Sequence, residues 1–191
     1  MEILTKSSRG LQIVPLHAAA FEDRIIMLNS EINEKTTTDF YLELHELQKR
    51  NDKDITLLIN SGGGEVDSGI AICDMMESSK CKIHTICTGK AYSMASLILA
   101  CGDKRSITKR SKVMIHQPFF NGNISGKLED LKIADELLKE KKEMIISLLT
   151  EKTNVSKDKI EEMIKKDCYL SAKEAIDFGI VDFIERGQYE T

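Results

Sequence analysis

The sequence predicts a parallel α/β fold. Short apolar runs read as buried strands, and most are followed by a segment with helical periodicity; strands that alternate with helices in this way pair in parallel. The length of 191 residues, with 41% hydrophobic and 30% charged residues, matches one soluble domain with a core of its own. A chain of this size buries roughly 70% of its unfolded surface, so neither disulfides nor a metal is needed to hold it.

Residues 1–20 carry weak signals and read as a loose arm with a short element around Ala18 to Phe21. Asp23 to Leu28 reads as a buried strand. A helix is expected from about Thr36 to Arg50, with Phe40, Leu42, Leu44 and Leu47 as its apolar residues. Asp54 to Asn60 is a second strand, followed at once by Ser61 and the run Gly62-Gly63-Gly64, then a helix through Ile70, Ile72, Met75 and Met76. Lys82 to Cys87 is a third strand, Thr88-Gly89 a turn, and Ser93 to Cys101 a short apolar helix. Lys112 to His116 is a fourth strand, stopped by Gln117-Pro118.

Asn121 to Gly126 reads as a flexible loop. The next helix, from about Leu128 to Lys152, would be about 37 Å long at 1.5 Å per residue, more than a small core needs. Leu131, Ala134, Leu138, Ile145 and Leu149 recur at helical spacing along it. It is either a surface helix or one that projects and packs on another subunit. A further helix is expected over roughly Lys157 to Lys166. Ser171 and Glu174 form a capping box that opens a last helix, with Gly179 as its C-terminal stop. Ile180 to Ile184 closes the chain as a strand.

Several function classes are excluded by composition. With 27 basic and 31 acidic residues there is no electrostatic footprint for nucleic acid. No apolar run approaches the 18 residues of a membrane span. The N-terminus has no apolar stretch of the signal-peptide kind. The five cysteines are odd in number and contain no Cys-x-x-Cys pair, which points to reduced thiols, a cytoplasmic setting and no zinc site. The sequons at Asn123 and Asn154 then read as chance.

Neither glycine-rich segment is a nucleotide site, and no cofactor is expected. Asp67 stands where Gly-x-Gly-x-x-Gly needs its third glycine, and His84 and Ala91 break the Walker A pattern around Gly89-Lys90. The triple glycine is either a tight strand-to-helix turn or a stretch of bare backbone N–H groups presented to an oxyanion. Ser93 is either an ordinary N-cap or a nucleophile at a helix N-terminus, where the N–H of Met94 can help hold an oxyanion. It is not a Gly-x-Ser-x-Gly elbow. His116 ends an apolar strand, where a parallel sheet presents its active site; a strand-end histidine bonded to backbone is the plainer alternative. His17, His45 and His84 have no second ligand at metal spacing. Asp167 lies between Lys165-Lys166 and Cys168-Tyr169, and local pattern alone makes it a surface charge.

Those residues carry a resemblance. The segment from Gly89 to Ser96, Gly-Lys-Ala-Tyr-Ser-Met-Ala-Ser, resembles the nucleophile segment of the ClpP family, the peptidase subunits of the ATP-dependent caseinolytic (Clp) serine proteases. Met-Ile-His-Gln-Pro, from Met114 to Pro118, is similar to its histidine segment, and Lys166 to Ala172 to its aspartate segment. Ile59 to Gly64 resembles its oxyanion loop, and Ser8 to Gly10 and Asp23 to Ile26 its start. The matches run in order from about residue 8 to 184.

The resemblance implies a ββα spiral of the crotonase/ClpP type with a projecting handle helix. It implies one domain, residues 1–191, with a head of about 1–120 and 153–191 and a handle of about 121–152. It further implies a Ser93–His116–Asp167 triad and oxyanion donors at the N–H groups of Gly64 and Met94. Two stacked heptameric rings enclosing the active sites are expected, fed with unfolded polypeptide by a hexameric Clp ATPase. Two other readings stand beside this one: a structural paralogue of weak or mixed-ring-only activity, and an acyl-CoA enzyme of the crotonase superfamily, which needs no triad. The chain also departs from the family pattern. Gly62 stands where a proline is usual, loosening the oxyanion loop; Tyr92 replaces a small residue and is expected to narrow the first pocket. Lys166 replaces an arginine tied to ring contact and lacks its planar fork. Thr56 and Leu58 replace tyrosines of the ATPase-docking groove.

Overall fold

A computed structural model describes residues 2–7, 10–120 and 126–185. The expected loop 121–126 therefore lies, except for Gly126, outside the described residues, as do Ser8, Arg9 and Asn123. The chain opens with β1 (Glu2–Ser7) and β2 (Gly10–Pro15), then α1 (Leu16–Glu22), β3 (Ile25–Leu28), α2 (Glu34–Arg50), β4 (Ile55–Ser61) and α3 (Val66–Glu77). It continues through β5 (Ile83–Tyr92), α4 (Met94–Ala100), β6 (Lys104–Thr108), β7 (Lys112–Ile115) and α5 (Leu128–Lys152). It closes with α6 (Lys157–Met163), β8 (Cys168–Ser171), α7 (Ala172–Phe178) and β9 (Phe183–Glu185).

The main sheet has the order β3-β4-β5-β6-β9, all parallel, so the expected parallel α/β architecture is present. β7 pairs in parallel with the end of β5, and β8 runs antiparallel on β7. The core gathers where α2, α3 and α4 pack over the central strands. Ile55, Leu57 and Ile59 of β4 alternate inward, and every residue of α4 is buried. Gly69 permits that packing, since a Cβ there would sit 2.5 Å from the Met94 side chain.

Four local expectations need correction. Residues 2–7 and 10–15 pair as two antiparallel strands rather than forming a loose arm, and among the described residues this two-stranded sheet does not join the main one. Thr88-Gly89 is not a turn. β5 runs through it to Tyr92, because Gly89 at φ +135° bends the strand and its missing Cβ leaves room for the Asn60 side chain. That bend lets β5 pair first with β6 and then with β7. The strands β6 and β8 were not expected; β6 reads Lys-Arg-Ser-Ile-Thr and buries only Ser106 and Ile107, which hides its period. Helix α6 ends at Met163, earlier than expected, and β9 starts at Phe183 rather than Ile180. By contrast α5 spans the 25 residues expected of it, and the Ser171–Glu174 capping box and the left-handed Gly179 are both present.

Two arginines tie the layers together by capping helix ends. Arg24 donates to Leu47 O and Asn51 O at the end of α2 and to Lys53 O and Asp54 O beyond it. Arg105 donates from Nη1 to Lys152 O (2.7 Å) and Gly179 O (2.9 Å), closing α5 and α7, while Asp182 holds its other edge. A guanidinium supplies these parallel donors in one plane. Arg105→Met removes them and leaves two helix-end carbonyls short of a donor. The expected loss is about 3 kcal/mol, a fall in melting midpoint of roughly 6–12 °C. A fall under about 2 °C by calorimetry would contradict this account.

His84 gives a pH signature. Burial, and secondarily Lys104, lower its pKa, against the pull of Glu185. A histidine with a folded-state pKa below its unfolded value binds protons better when unfolded, so stability rises with pH. The contribution is complete above the unfolded value, about 6.5, and is lost as pH falls through the lower folded value. The urea midpoint should therefore drop less between pH 7.5 and 5.5 in His84→Asn than in the parent. Equal drops would remove His84 as the cause.

Candidate active site

Ser93 follows β5 directly and has φ +53° and ψ −127°. Among the described residues only Arg24 shares a positive φ without being glycine. Such a conformation costs on the order of 1–3 kcal/mol and survives only where its surroundings impose it. Here the Ser93 N–H is bound to Met114 O (2.8 Å), and its carbonyl accepts from the N–H and hydroxyl of Ser96. The side chain makes no capping bond, so the N-cap alternative does not describe it. Instead the Ser93 hydroxyl meets His116 Nε2 at 2.8 Å.

Strand register brings these residues together. Tyr92 pairs with Met114 in the parallel β5–β7 ladder, so Ser93 and His116 emerge side by side at the strand ends. Ile115 pairs with Cys168 in the antiparallel β7–β8 ladder, which puts Asp167 opposite His116. Asp167 Oδ1 lies 3.6 Å from His116 Nδ1, longer than a hydrogen bond. The His116 side chain is 14% exposed and that of Asp167 57%. Phe119 covers the imidazole, with ring centroids 5.4 Å apart.

The glycine loop completes the arrangement. Ile32 N–H donates to Gly63 O and Ile32 O accepts from Glu65 N–H, a parallel bridge on one side of the loop. The N–H of Gly64, between those two groups, faces the other side and has no acceptor among the described residues. Met94 N–H, in the first turn of α4, has none there either. Side chains are excluded by contact: a Cβ on Gly63 would fall 2.7 Å from Ser93 Cβ, and one on Gly64 would fall 2.1 Å from Ile32 O. The turn is therefore tight, as one of the two glycine readings expects. The loop does not depend on a proline at position 62. Ser61 Oγ donates to Ser30 O and accepts from Gly63 N–H, and a Cβ at Gly62 would meet only the tip of Lys90.

Ser93, Met94, His116, Phe119, Asp167 and Gly62 to Gly64 line one cleft of about 1200 Å³. A family model described as Clp protease matches residues 8–188, nearly the whole chain. The chain belongs to the Clp protease family.

A Clp-type peptidase needs a nucleophile, and two of the thiols are less reactive than a free cysteine. Burial pushes Cys87 up to about 11, and burial followed by the charge of Glu174 raises Cys168, the residue after Asp167. The expectation that Tyr92 narrows the pocket is not met. Its side chain is not among those that line the cleft; it packs edge-on against Tyr169 at 5.6 Å, with Lys90 Nζ 5.9 Å from the ring. Reading by motif missed three cleft residues: Phe119, Asp67 and Lys141. The pair Phe119-Phe120 after His-Gln-Pro was a signal for the first. Lys141 carried none, since it lies among the many charges of α5. No helix among the described residues is long and apolar enough to cross a membrane.

Proposed function

We propose that this chain is a serine endopeptidase acting on unfolded polypeptides, with Ser93 as nucleophile, His116 as general base and Asp167 as the group that orients the imidazole. The contact that carries this reading is His116 Nε2 to Ser93 Oγ at 2.8 Å within a large cleft. His116 takes the Ser93 proton as Oγ attacks the peptide carbonyl, and the oxyanion is held by the N–H groups of Gly64 and Met94. The imidazolium then gives that proton to the leaving amine. Water, deprotonated by His116, hydrolyses the acyl-enzyme and returns Ser93 with its proton.

In this reading residues 1–191 form one domain, with a head of about 1–120 and 153–191 arranged as a ββα spiral. The segment of about 121–152 is a handle joining two heptameric rings. The support is α5. Only Ile145, Ile146 and Leu149 of it are buried, while Leu128, Leu131, Ile133 and Leu137 are exposed on its first turns. Apolar surface of that kind marks an interface. The closed double ring would sit in the cytoplasm and receive chains from a hexameric Clp ATPase, since neither glycine-rich segment of the sequence fits a nucleotide-binding pattern. Lys166 is exposed and lacks the fork of an arginine, so the ring pair should be sensitive to salt.

A second reading, a subunit that assembles but cuts weakly on its own, is favoured by one observation: the loose, exposed Asp167 beside His116. Active-site labelling with a fluorophosphonate, combined with the native particle mass, separates the two. The first reading expects labelled particles of fourteen or seven subunits, and Leu131→Glu should shift the mass to single rings or smaller species. An unlabelled fourteen-subunit particle supports the second reading, and a labelled monomer contradicts the assembly.

A further inference from the structure

Among the described residues that line the cleft, two ion pairs occur. One is His116–Asp167. The other joins Lys141 Nζ to Asp67 Oδ2 at 2.6 Å. Lys141 lies on α5 one turn from Leu138 and Ile145, and Asp67 lies in the first turn of α3. The pair therefore joins α5 to α3 across the cleft lining. Val66, Met94, Leu97, Leu138 and Ile145 are apolar residues of the same lining, and we take them as an apolar recess beside the pair. That recess begins at Met94, whose N–H is a proposed oxyanion donor. It is thus the space beside the carbonyl under attack, where the side chain on the acyl side of the scissile bond must go.

The two partners are not equally committed. The Asp67 side chain is 77% exposed and that of Lys141 only 31%. Asp67 also sits at the positive end of α3, so it keeps water and the helix dipole if Lys141 turns away. Lys141 has no other carboxylate partner among the described residues. A substrate carboxylate entering the recess exchanges one carboxylate for another on a half-buried ammonium, with little net loss of pairing. A substrate ammonium meets a like charge there, or leaves Lys141 without a partner. The remaining charges along the cleft, Glu31, Glu65 and Lys90, are exposed at its rim, and Glu65 accepts from Ser68 Oγ. Solvent screens them.

We propose that Lys141 determines specificity. It leaves Asp67 to bind a long acidic side chain in the recess, so that the peptidase cleaves after glutamate as well as after apolar residues and rejects lysine and arginine. The proposal rests on the Ser93 peptidase reading.

Fluorogenic peptides that differ only in the residue before the cleaved bond, leucine, glutamate or lysine, test it. The parent should cleave the glutamate peptide at least about tenfold faster than the lysine peptide, by kcat/KM. Lys141→Met should lower the glutamate-to-lysine ratio by about tenfold, and Lys141→Glu should invert it. Asp67→Asn, at an exposed position, should raise the glutamate-to-leucine ratio several-fold by freeing Lys141. A parent ratio of glutamate to lysine at or below one, or a ratio unmoved by Lys141→Met, overturns the proposal while leaving the peptidase reading intact, provided the leucine peptide is cut in a Ser93-dependent way. Absence of any Ser93-dependent cleavage overturns both.

Discussion

Ser93→Ala lowers peptide kcat/KM by a factor on the order of 10³ or more and leaves the particle mass unchanged. The first half follows from the geometry. The Ser93 hydroxyl is the atom bonded to His116 Nε2, and no thiol beside it is activated to take its place. In the proposed mechanism, what survives the substitution is binding and the oxyanion N–H groups, worth a residual rate and no more. The second half follows from what Ser93 does for the fold. Its N–H and carbonyl hold Met114 and Ser96, and both bonds are made by backbone that alanine retains. The side chain adds no cap to α4, so deleting its oxygen opens little space. The positive φ is strained for alanine as it is for serine, so the strain largely cancels between the two. Hydrolysis assays and native mass spectrometry on the same preparation decide the matter. Turnover within tenfold of the parent would end the case for Ser93 as nucleophile.

Gly64→Ala is the second large effect, and it acts through backbone rather than chemistry. The new Cβ would lie 2.1 Å from Ile32 O and 2.7 Å from Ile32 N, atoms that cannot swing aside as a flexible side chain does. Relief requires the loop to leave Ile32, breaking the bridge made by Ile32 N–H to Gly63 O and Glu65 N–H to Ile32 O. The Gly64 N–H, the oxyanion donor of the proposed mechanism, is then displaced. Loss of one oxyanion donor costs about 10²–10³ in kcat. The bridge is also structural, so the melting midpoint should fall. Gly62→Ala is the control, because a Cβ there meets nothing nearer than Lys90 Nζ at 3.9 Å. A Gly64→Ala enzyme with the parental kcat would show that this N–H is not a donor to the reaction.

Much of the site was legible as types and order. Ser93, His116 and Asp167 each stood at the edge of an element, and Gly62 to Gly64 stood between a strand and a helix, so the family resemblance pointed at residues the fold then gathered into one cleft. Legibility failed where a residue's meaning depends on its register partner. Asp167 looked like a surface charge because nothing beside it in sequence explains it; its partner lies across the β7–β8 ladder, and β8 is too short to show a period. Tyr92 was expected in the pocket because it adjoins Ser93, yet its ring packs on Tyr169, a partner far off in sequence. The strand β6 escaped for a related reason, since it buries only Ser106 and Ile107 and so has no fully buried face to write apolar periodicity into the chain.

The sequence by itself determined the parallel α/β class, the extent of α5, the caps of α7 and membership in the Clp protease family, because each rests on local periodicity, cap chemistry or a contiguous motif. Tertiary structure alone decided the rest: the continuation of β5 through Gly89 to aim Ser93, the register that sets Asp167 across from His116, and the Lys141–Asp67 pair between α5 and α3. The reason is range. Propensities and caps act within a few residues, whereas ladders and ion pairs join groups separated by tens of residues, and those meet only when burial of the shared core has chosen how strands align.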